Sequence, residues 1–237
     1  MKIPKLALDY AARFNLDPVF AQGVARHLRE AGLLSQGARG VNAPDATGLD
    51  AARLLIPFMV GGIAMKAKDA PEIVRDYGNL RHVRTFKYDV DEKQDVIAPE
   101  DESTPPAAIL EDAIAHILTS LQDSDFRRQL FVDISPLGFG EGLIVQDCRL
   151  SAKIVAGDFT FLYHPDSYWA HEEASHLAIS QGREPPAPMS WLPARYRSSM
   201  HGNREMDWAQ LAAISDVIAG KRPIGWQTLQ HELDAGS

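Results

Sequence analysis

Several residue sets in this chain have the types that chemistry requires, and spacing decides among them. His171-Glu172-Glu173-Ala174-Ser175-His176 places two imidazoles and two carboxylates within one short run. A metalloprotease helix uses His-Glu-x-x-His, because an i, i+4 pair sets both imidazoles on one face. Here the histidines are five residues apart, so at 100° per residue they stand roughly 140° from each other on a helix. A zinc site would then need non-helical geometry and a third ligand such as His164 or His201. An exposed polar helix end accounts for the segment better. The glycines of Pro136-Leu137-Gly138-Phe139-Gly140-Glu141-Gly142 lack Gly-x-Gly-x-x-Gly spacing, and no Gly-Lys-Ser/Thr follows, which points to a flexible connection before a strand. Cys148 is the only cysteine, which excludes an intramolecular disulfide and a cysteine-rich zinc site. Arg149 is its neighbour, but no basic helix start is placed to activate it as a nucleophile. The expectation is a protein that is not an enzyme, with no cofactor and no metal.

Two further groups have weaker chemistry. Phe159, Phe161, Tyr163, Tyr168, Trp169 and Trp191 could line an effector pocket, but in a unit of this size such residues usually form core. Arg195, Arg197 and Arg204, with His201 between them, make a basic patch after the proline-rich stretch from Glu184 to Pro193.

Charge is more informative. The net charge of −8 argues against a polyanionic partner only if it is evenly spread, and it is not. Residues 1–88 hold 13 lysines and arginines against 8 acids, a net of +5, and the remaining residues carry −13. A basic head on an acidic body steers a polyanion through its local field.

The head reads as helical. Leu6, Tyr10, Ala11 and Phe14 have amphipathic spacing. Asn15-Leu16-Asp17-Pro18 then breaks the chain and restarts it, with Asp17 able to cap and Pro18 suited to a first turn. A second helix turns Phe20, Val24, Leu28 and Ala31 inward and leaves Gln22, Arg26 and Arg29 on other faces, where they could meet a groove. Gly32 ends it and Leu33-Leu34 returns to the core. Ser35-Gln36-Gly37-Ala38-Arg39-Gly40-Val41-Asn42-Ala43-Pro44 follows as a flexible basic loop able to approach a phosphate backbone, with Gln36, Arg39 and Asn42 as its contact candidates. A third helix is expected from Asp45 or Thr47 through Met59.

The run Arg26-His27-Leu28-Arg29-Glu30-Ala31-Gly32-Leu33-Leu34, followed by the Arg39-Gly40 loop, resembles winged helix-turn-helix transcription regulators. In those families a recognition helix ends in a Gly-Leu-Leu or Gly-Leu-Val step and leads into a basic wing. The head is also similar to regulators of the mercury-resistance type, in which an Asp-led helix follows the wing, as Asp50-Ala51-Ala52-Arg53-Leu54-Leu55 would here. The resemblance implies that Arg26 and Arg29 contact DNA from the recognition helix, and that Arg39 sits on the wing near phosphate or the minor groove.

Beyond the head, residues 89–106 hold Asp89, Asp91, Glu92, Asp95, Glu100, Asp101 and Glu102 against Lys93, and end in Pro105-Pro106. That composition suits a solvated linker. Ile109, Leu110, Ala113, Ile114, Ile117, Leu118 and Leu121 form one helical stripe, which Thr104 or Pro105 is placed to start. β-like runs follow at Gln129 to Ile134, Gly142 to Gln146, Leu150 to Val155 and Phe159 to Tyr163, the last two joined by the turn Ala156-Gly157-Asp158. A final helix is expected over Met206 to Ala219, ended by Gly220. The expected fold is α+β, with a winged helix-turn-helix head over 1–80, an acidic linker over 81–106, and a mixed α/β unit with a short antiparallel sheet over 107–237.

The longest apolar stretch, Leu54 to Met65, is interrupted by Pro57, Gly61 and Gly62 and is too short to span a bilayer. With no apolar block for a signal peptide, the expected location is the cytoplasm and no membrane partner is expected. The function these features imply is a bacterial or prophage-type regulator that binds double-stranded DNA as a homodimer, with the body dimerising or contacting another protein. The rival readings are a phage DNA-packaging or replication accessory protein, and a metal-dependent enzyme built around His164, His171 and His176.

Overall fold

The computed structural model describes residues 1–37, 44–60, 66–89, 91, 93–99, 104–134, 142–146, 150–187 and 203–221. The chain opens with α1 (Ile3–Arg13), which carries Pro4 in its first turn and buries Leu6, Ala7, Tyr10 and Ala11. It stops where Asn15 takes a left-handed φ of 51°, a conformation that asparagine tolerates better than most residues. Asp17 then caps α2 (Pro18–Glu30), its carboxylate accepting from the Val19 N–H at 3.0 Å. Gly32, at φ 72°, ends α2, and the Leu33 N–H closes back on the Leu28 carbonyl at 2.9 Å. The inward face of α2 is Ala21, Val24, Ala25 and Leu28; Ala31, expected inward, is half-buried beyond the helix end.

The third helix, α3 (Gly48–Val60), buries ten of its thirteen residues. Its Phe58 ring stands 5.9 Å from Tyr10, 6.2 Å from Phe14 and 6.3 Å from Phe20. One aromatic cluster thereby locks the first three helices together. A 3-10 turn (Ala67–Asp69) leads into α4 (Ala70–Gly78).

Next come β1 (Arg81–Asp89) and β2 (Gln94–Ile97), then α5 (Leu110–Ser120), α6 (Ser124–Ile134), β3 (Leu143–Gln146), β4 (Ser151–Ala156) and β5 (Phe159–His164). They are followed by α7 (Asp166–Ser180), β6 (Asn203–Met206) and α8 (Trp208–Ile218). Among the described residues, six strands form one sheet in the order β2-β1-β5-β4-β3-β6, with every neighbouring pair antiparallel. Thr85, Phe161 and Ile154 are cross-strand partners, and all three are buried. The β4–β5 hairpin turns on Gly157 at φ 57°, as Ala156-Gly157-Asp158 predicts. The chain is thus α+β with an antiparallel sheet, larger than the short one expected.

Three expectations are corrected. Gln129 to Ile134, expected as a strand, is the second half of α6. The Asp123 carboxylate accepts from the Asp125 and Phe126 N–H groups and starts that helix. Arg127 and Phe131, one turn apart, are then both buried, so helical burial overrides β-prone composition. Secondly, α5 begins at Leu110 rather than near Thr104 or Pro105, because Ile109 is extended and bridges to Arg81. Thirdly, residues 81–106, expected as a linker, hold β1 and β2. The Tyr88–Asp95 and Asp89–Gln94 pairs place acidic residues on the edge strand β2 and its partner, where charge discourages edge-to-edge association. Residues near Pro106 are sewn to the sheet: the His82 N–H donates to the Ala108 carbonyl at 2.9 Å, and the Tyr163 hydroxyl donates to the Ala107 carbonyl at 3.1 Å.

Head and body also share one apolar core, running from Ile3 on α1 through Leu55 on α3 and Ile114 on α5 to Ile214 on α8. α3 lies against α5 through that core, and two ion pairs tie the layers. Arg53 on α3 donates Nε and Nη2 to the Glu111 carboxylate at 2.9 and 2.8 Å. Arg127 on α6 donates to Asp216 on α8 at 2.7 and 3.2 Å and also to the Leu121 carbonyl.

Candidate nucleic-acid interface

The burial of Ala21, Val24, Ala25 and Leu28 fixes which face of α2 looks outward. That face carries Val19, Gln22, Arg26, Arg29 and Glu30, all exposed, recurring at three- and four-residue steps along one side of the helix. Val19 is 73% exposed, an unusual position for a β-branched apolar side chain at the start of a helix. Sequence spacing singles out Gln22, Arg26 and Arg29 but passes over Val19. The signal was available: Pro18 fixes the helix start, and Val19 falls on the same stripe as Arg26.

The charges on this face are organised. Arg26 Nε lies 3.8 Å from Glu30 Oε1, with the two side chains 67% and 61% exposed. His27 Nδ1 lies 3.2 Å from Glu30 Oε2. Such exposed pairs hold their partners loosely, so Arg26 can be drawn to a stronger anion. Gln36 Nε2 donates to the Arg29 carbonyl at 3.3 Å, which sets Gln36 at the C-terminal end of α2. Thus Gln22, Arg26 and Arg29 share one side of α2, and Gln36 is exposed at its C-terminal end. Arg39 and Asn42 lie outside the described residues.

Ser35 and Thr47, on the two sides of residues 38–43, are both held by one carboxylate. Asp50 accepts from the Ser35 N–H at 2.7 Å and hydroxyl at 2.8 Å, and from the Thr47 N–H and hydroxyl, both at 2.8 Å. This aspartate is only 3% exposed. Burial pushes its pKa up, but the N–H groups of Thr47 and Ser35 and both hydroxyls outweigh this and hold the carboxyl below its ordinary value. Thr47 returns the bond, its hydroxyl accepting from the Asp50 N–H at 3.1 Å. The Thr47-x-x-Asp50 spacing is a variant of the capping box, and it is the sequence signal for this latch. Arg53, one turn further along α3, donates to the Leu33 carbonyl at 3.0 Å while it binds Glu111. It is a structural arginine, not part of the exposed surface.

The 3-10 turn borders α2 on its other shoulder. A Cβ at Gly23 would stand 3.0 Å from the Ala67 Cβ, so glycine permits the turn to seat directly on the helix. Lys66 and Lys68, on either side of Ala67, are exposed.

The other candidates separate from this surface. α7 is helical through His171 and His176, the geometry in which a five-residue spacing points the two rings apart. His164 stacks on Tyr168 with ring centroids 4.2 Å apart. Among the described residues no three His, Cys, Asp or Glu side chains cluster as a metal site. Phe161 and Tyr163 are core, and burial pushes the Tyr163 phenol up. His82 packs its ring 5.7 Å from Tyr163, and burial lowers its pKa against an opposing hydrogen bond with the Arg84 backbone. The sheet face carries an open depression of about 710 Å³ bordered by Phe86, Tyr88, Asp95, Lys153, Thr160 and Leu162. Cys148, the glycines at 138 and 140, Trp191, Arg195, Arg197 and His201 lie outside the described residues, as do the side chains of Trp169 and Arg204. Among the described residues no helix is long and apolar enough to cross a membrane.

Fold and surface together define an α+β protein with a six-stranded antiparallel sheet and an exposed, arginine-bearing helix near its N-terminus. No family model, curated protein or solved structure matches the chain.

Proposed function

We propose that this protein is a sequence-specific transcriptional regulator that binds double-stranded DNA, with α2 as its recognition helix. The observation that carries this reading is the outward stripe of α2, in which Val19, Gln22, Arg26 and Arg29 are all exposed while the opposite face is buried. Two helices joined by a short capped turn, the second presenting one face outward along its length, suit the docking of a helix-turn-helix in the major groove. Arg26 has the forked donors to read a guanine edge, Gln22 the amide to read an adenine, and Val19 the apolar surface to meet a thymine methyl. Arg29 and Gln36 serve the phosphate backbone. Arg39, in the role that the resemblance to winged regulators gives it, and Asn42 extend the contact from the segment between Ser35 and Thr47. Homodimerisation on two half-sites would place two such helices about one helical turn of DNA apart, with the sheet and the acidic body supplying the partner contacts.

The test is selection of bound duplexes from a random pool, followed by titration of the selected site at several salt concentrations. Binding should weaken steeply with salt, and Arg26→Ala should cost about 1–3 kcal/mol on the selected site and relax preference at one position. Absence of any salt-dependent duplex binding by the wild-type protein sinks the reading. So does selection of the same site with undiminished affinity after Arg26→Ala and Arg29→Ala together.

A further inference from the structure

The two shoulders of α2 differ in what borders them. On a helical wheel Arg29, at one border of the exposed stripe, stands about 120° from Gly23, so the stripe runs between Arg29 on one side and the 3-10 turn on the other. The turn owes its place to Gly23, where a Cβ would meet the Ala67 Cβ at 3.0 Å. Ala67 faces the helix, and its neighbours Lys66 and Lys68 are exposed beside that contact. Two of the acids nearby have partners of their own: Asp69 accepts the Lys66 backbone N–H at 3.2 Å, and Glu30 faces Arg26 and His27.

A major groove is about 12 Å wide and is walled by a phosphate row on each side. A helix lying in it needs cations on both shoulders to engage both rows. We infer that Lys66 and Lys68 form a second phosphate-contacting element, so that α2 is held in the groove of double-stranded DNA by cations on both flanks. This rests on the DNA-binding reading and assigns a part of the surface that neither the motif nor the helix itself contains. Lysine suits such a contact, because a compact charge on a flexible stem needs no fixed acceptor geometry. The contact carries no base information, so it raises affinity for all duplexes alike.

The experiment compares wild type, Lys66→Ala/Lys68→Ala, Lys66→Arg/Lys68→Arg and Arg26→Ala on the selected duplex and on a scrambled one, between about 50 and 200 mM salt. The alanine pair should make the slope of log K against log salt shallower by about 1.8. Affinity should fall roughly tenfold or more, equally on both duplexes, while thermal unfolding stays as in wild type. The arginine pair should restore the slope. An unchanged slope in the alanine pair, with Arg26→Ala still weakening the selected duplex, overturns this inference and leaves the recognition helix standing. A loss confined to the selected duplex also overturns it. Wild-type protein without salt-dependent binding to either duplex takes down both readings.

Discussion

Removing the Asp50 carboxylate is the sharpest perturbation this structure offers. Asp50→Ala strands four donors, the N–H and hydroxyl of Ser35 and of Thr47, that now meet one carboxylate at 2.7–2.8 Å. A hydrogen bond to a charged acceptor contributes about 1.5–3 kcal/mol. Thr47 is exposed and Ser35 half-buried, so water recovers part of that loss, and a destabilisation of about 3 kcal/mol remains. For a chain of this length each kcal/mol lowers Tm by about 2–4 °C, so the expected fall is about 6–12 °C. Asp50→Asn keeps the shape but turns an amide nitrogen toward a donor, and should lose roughly half as much. The pH dependence has a definite sign. The folded carboxyl titrates below its ordinary value, so its contribution is complete above the unfolded pKa of about 4 and fades as pH falls through the folded one. The gap in Tm between wild type and Asp50→Ala should therefore be constant from about pH 7 to about pH 5 and narrow in acid. Circular dichroism melts across that range, with hydrogen exchange at the Ser35 and Thr47 amides, make the measurement. A Tm change under about 3 °C at neutral pH, or a gap that widens in acid, would refute the latch.

Three other outcomes follow from the same geometry. Arg127→Met leaves the Asp216 carboxylate, 2% exposed, without its guanidinium and should destabilise by about 3–5 kcal/mol, read by urea unfolding. Phe58→Ala empties the centre of the Tyr10–Phe14–Phe20 cluster and should cost about 3–5 kcal/mol; a loss under about 1 kcal/mol would mean the cluster does not bind the helices together. Glu30→Gln leaves Arg26 with its His27 contact at 3.3 Å but without its ion pair, and removes an anion from the proposed DNA surface. Its effect on stability should be under about 1 kcal/mol, while duplex affinity at about 100 mM salt should rise severalfold. A fall in affinity would show that Arg26 does not face the groove.

Much of the local structure was legible because its determinants are local. Asp17-Pro18 starts α2, Gly32 and Gly220 end helices in left-handed conformations, and Gly157 turns the β4–β5 hairpin. The 3.6-residue stripes of α1 and α5 each follow one buried face. Where local signals mislead, the deciding partner is distant in sequence. Gln129 to Ile134 has the β-branched and aromatic residues of a strand, but Arg127 reaches Asp216, eighty-nine positions away, and the helix that places it is what folds. The acidic segment looked like a connector because its charges were countable, whereas the β1 residues that pair with Gln94–Ile97 were not identifiable by charge.

The candidate surface divides the same way. By itself the sequence determined that α2 exists, where it begins and ends, and that Gln22, Arg26 and Arg29 share its polar side, since helical periodicity and capping are properties of consecutive residues. Only the tertiary structure decided that Val19 is left outside, because burial depends on what α1, α3 and α4 cover. It alone joined Ser35 and Thr47 through one buried carboxylate on α3, and it alone seated Lys66 and Lys68 beside α2 by way of a glycine with no side chain to keep Ala67 away. The partners in these contacts come from separate segments of the chain, and such contacts are chosen by packing as a whole.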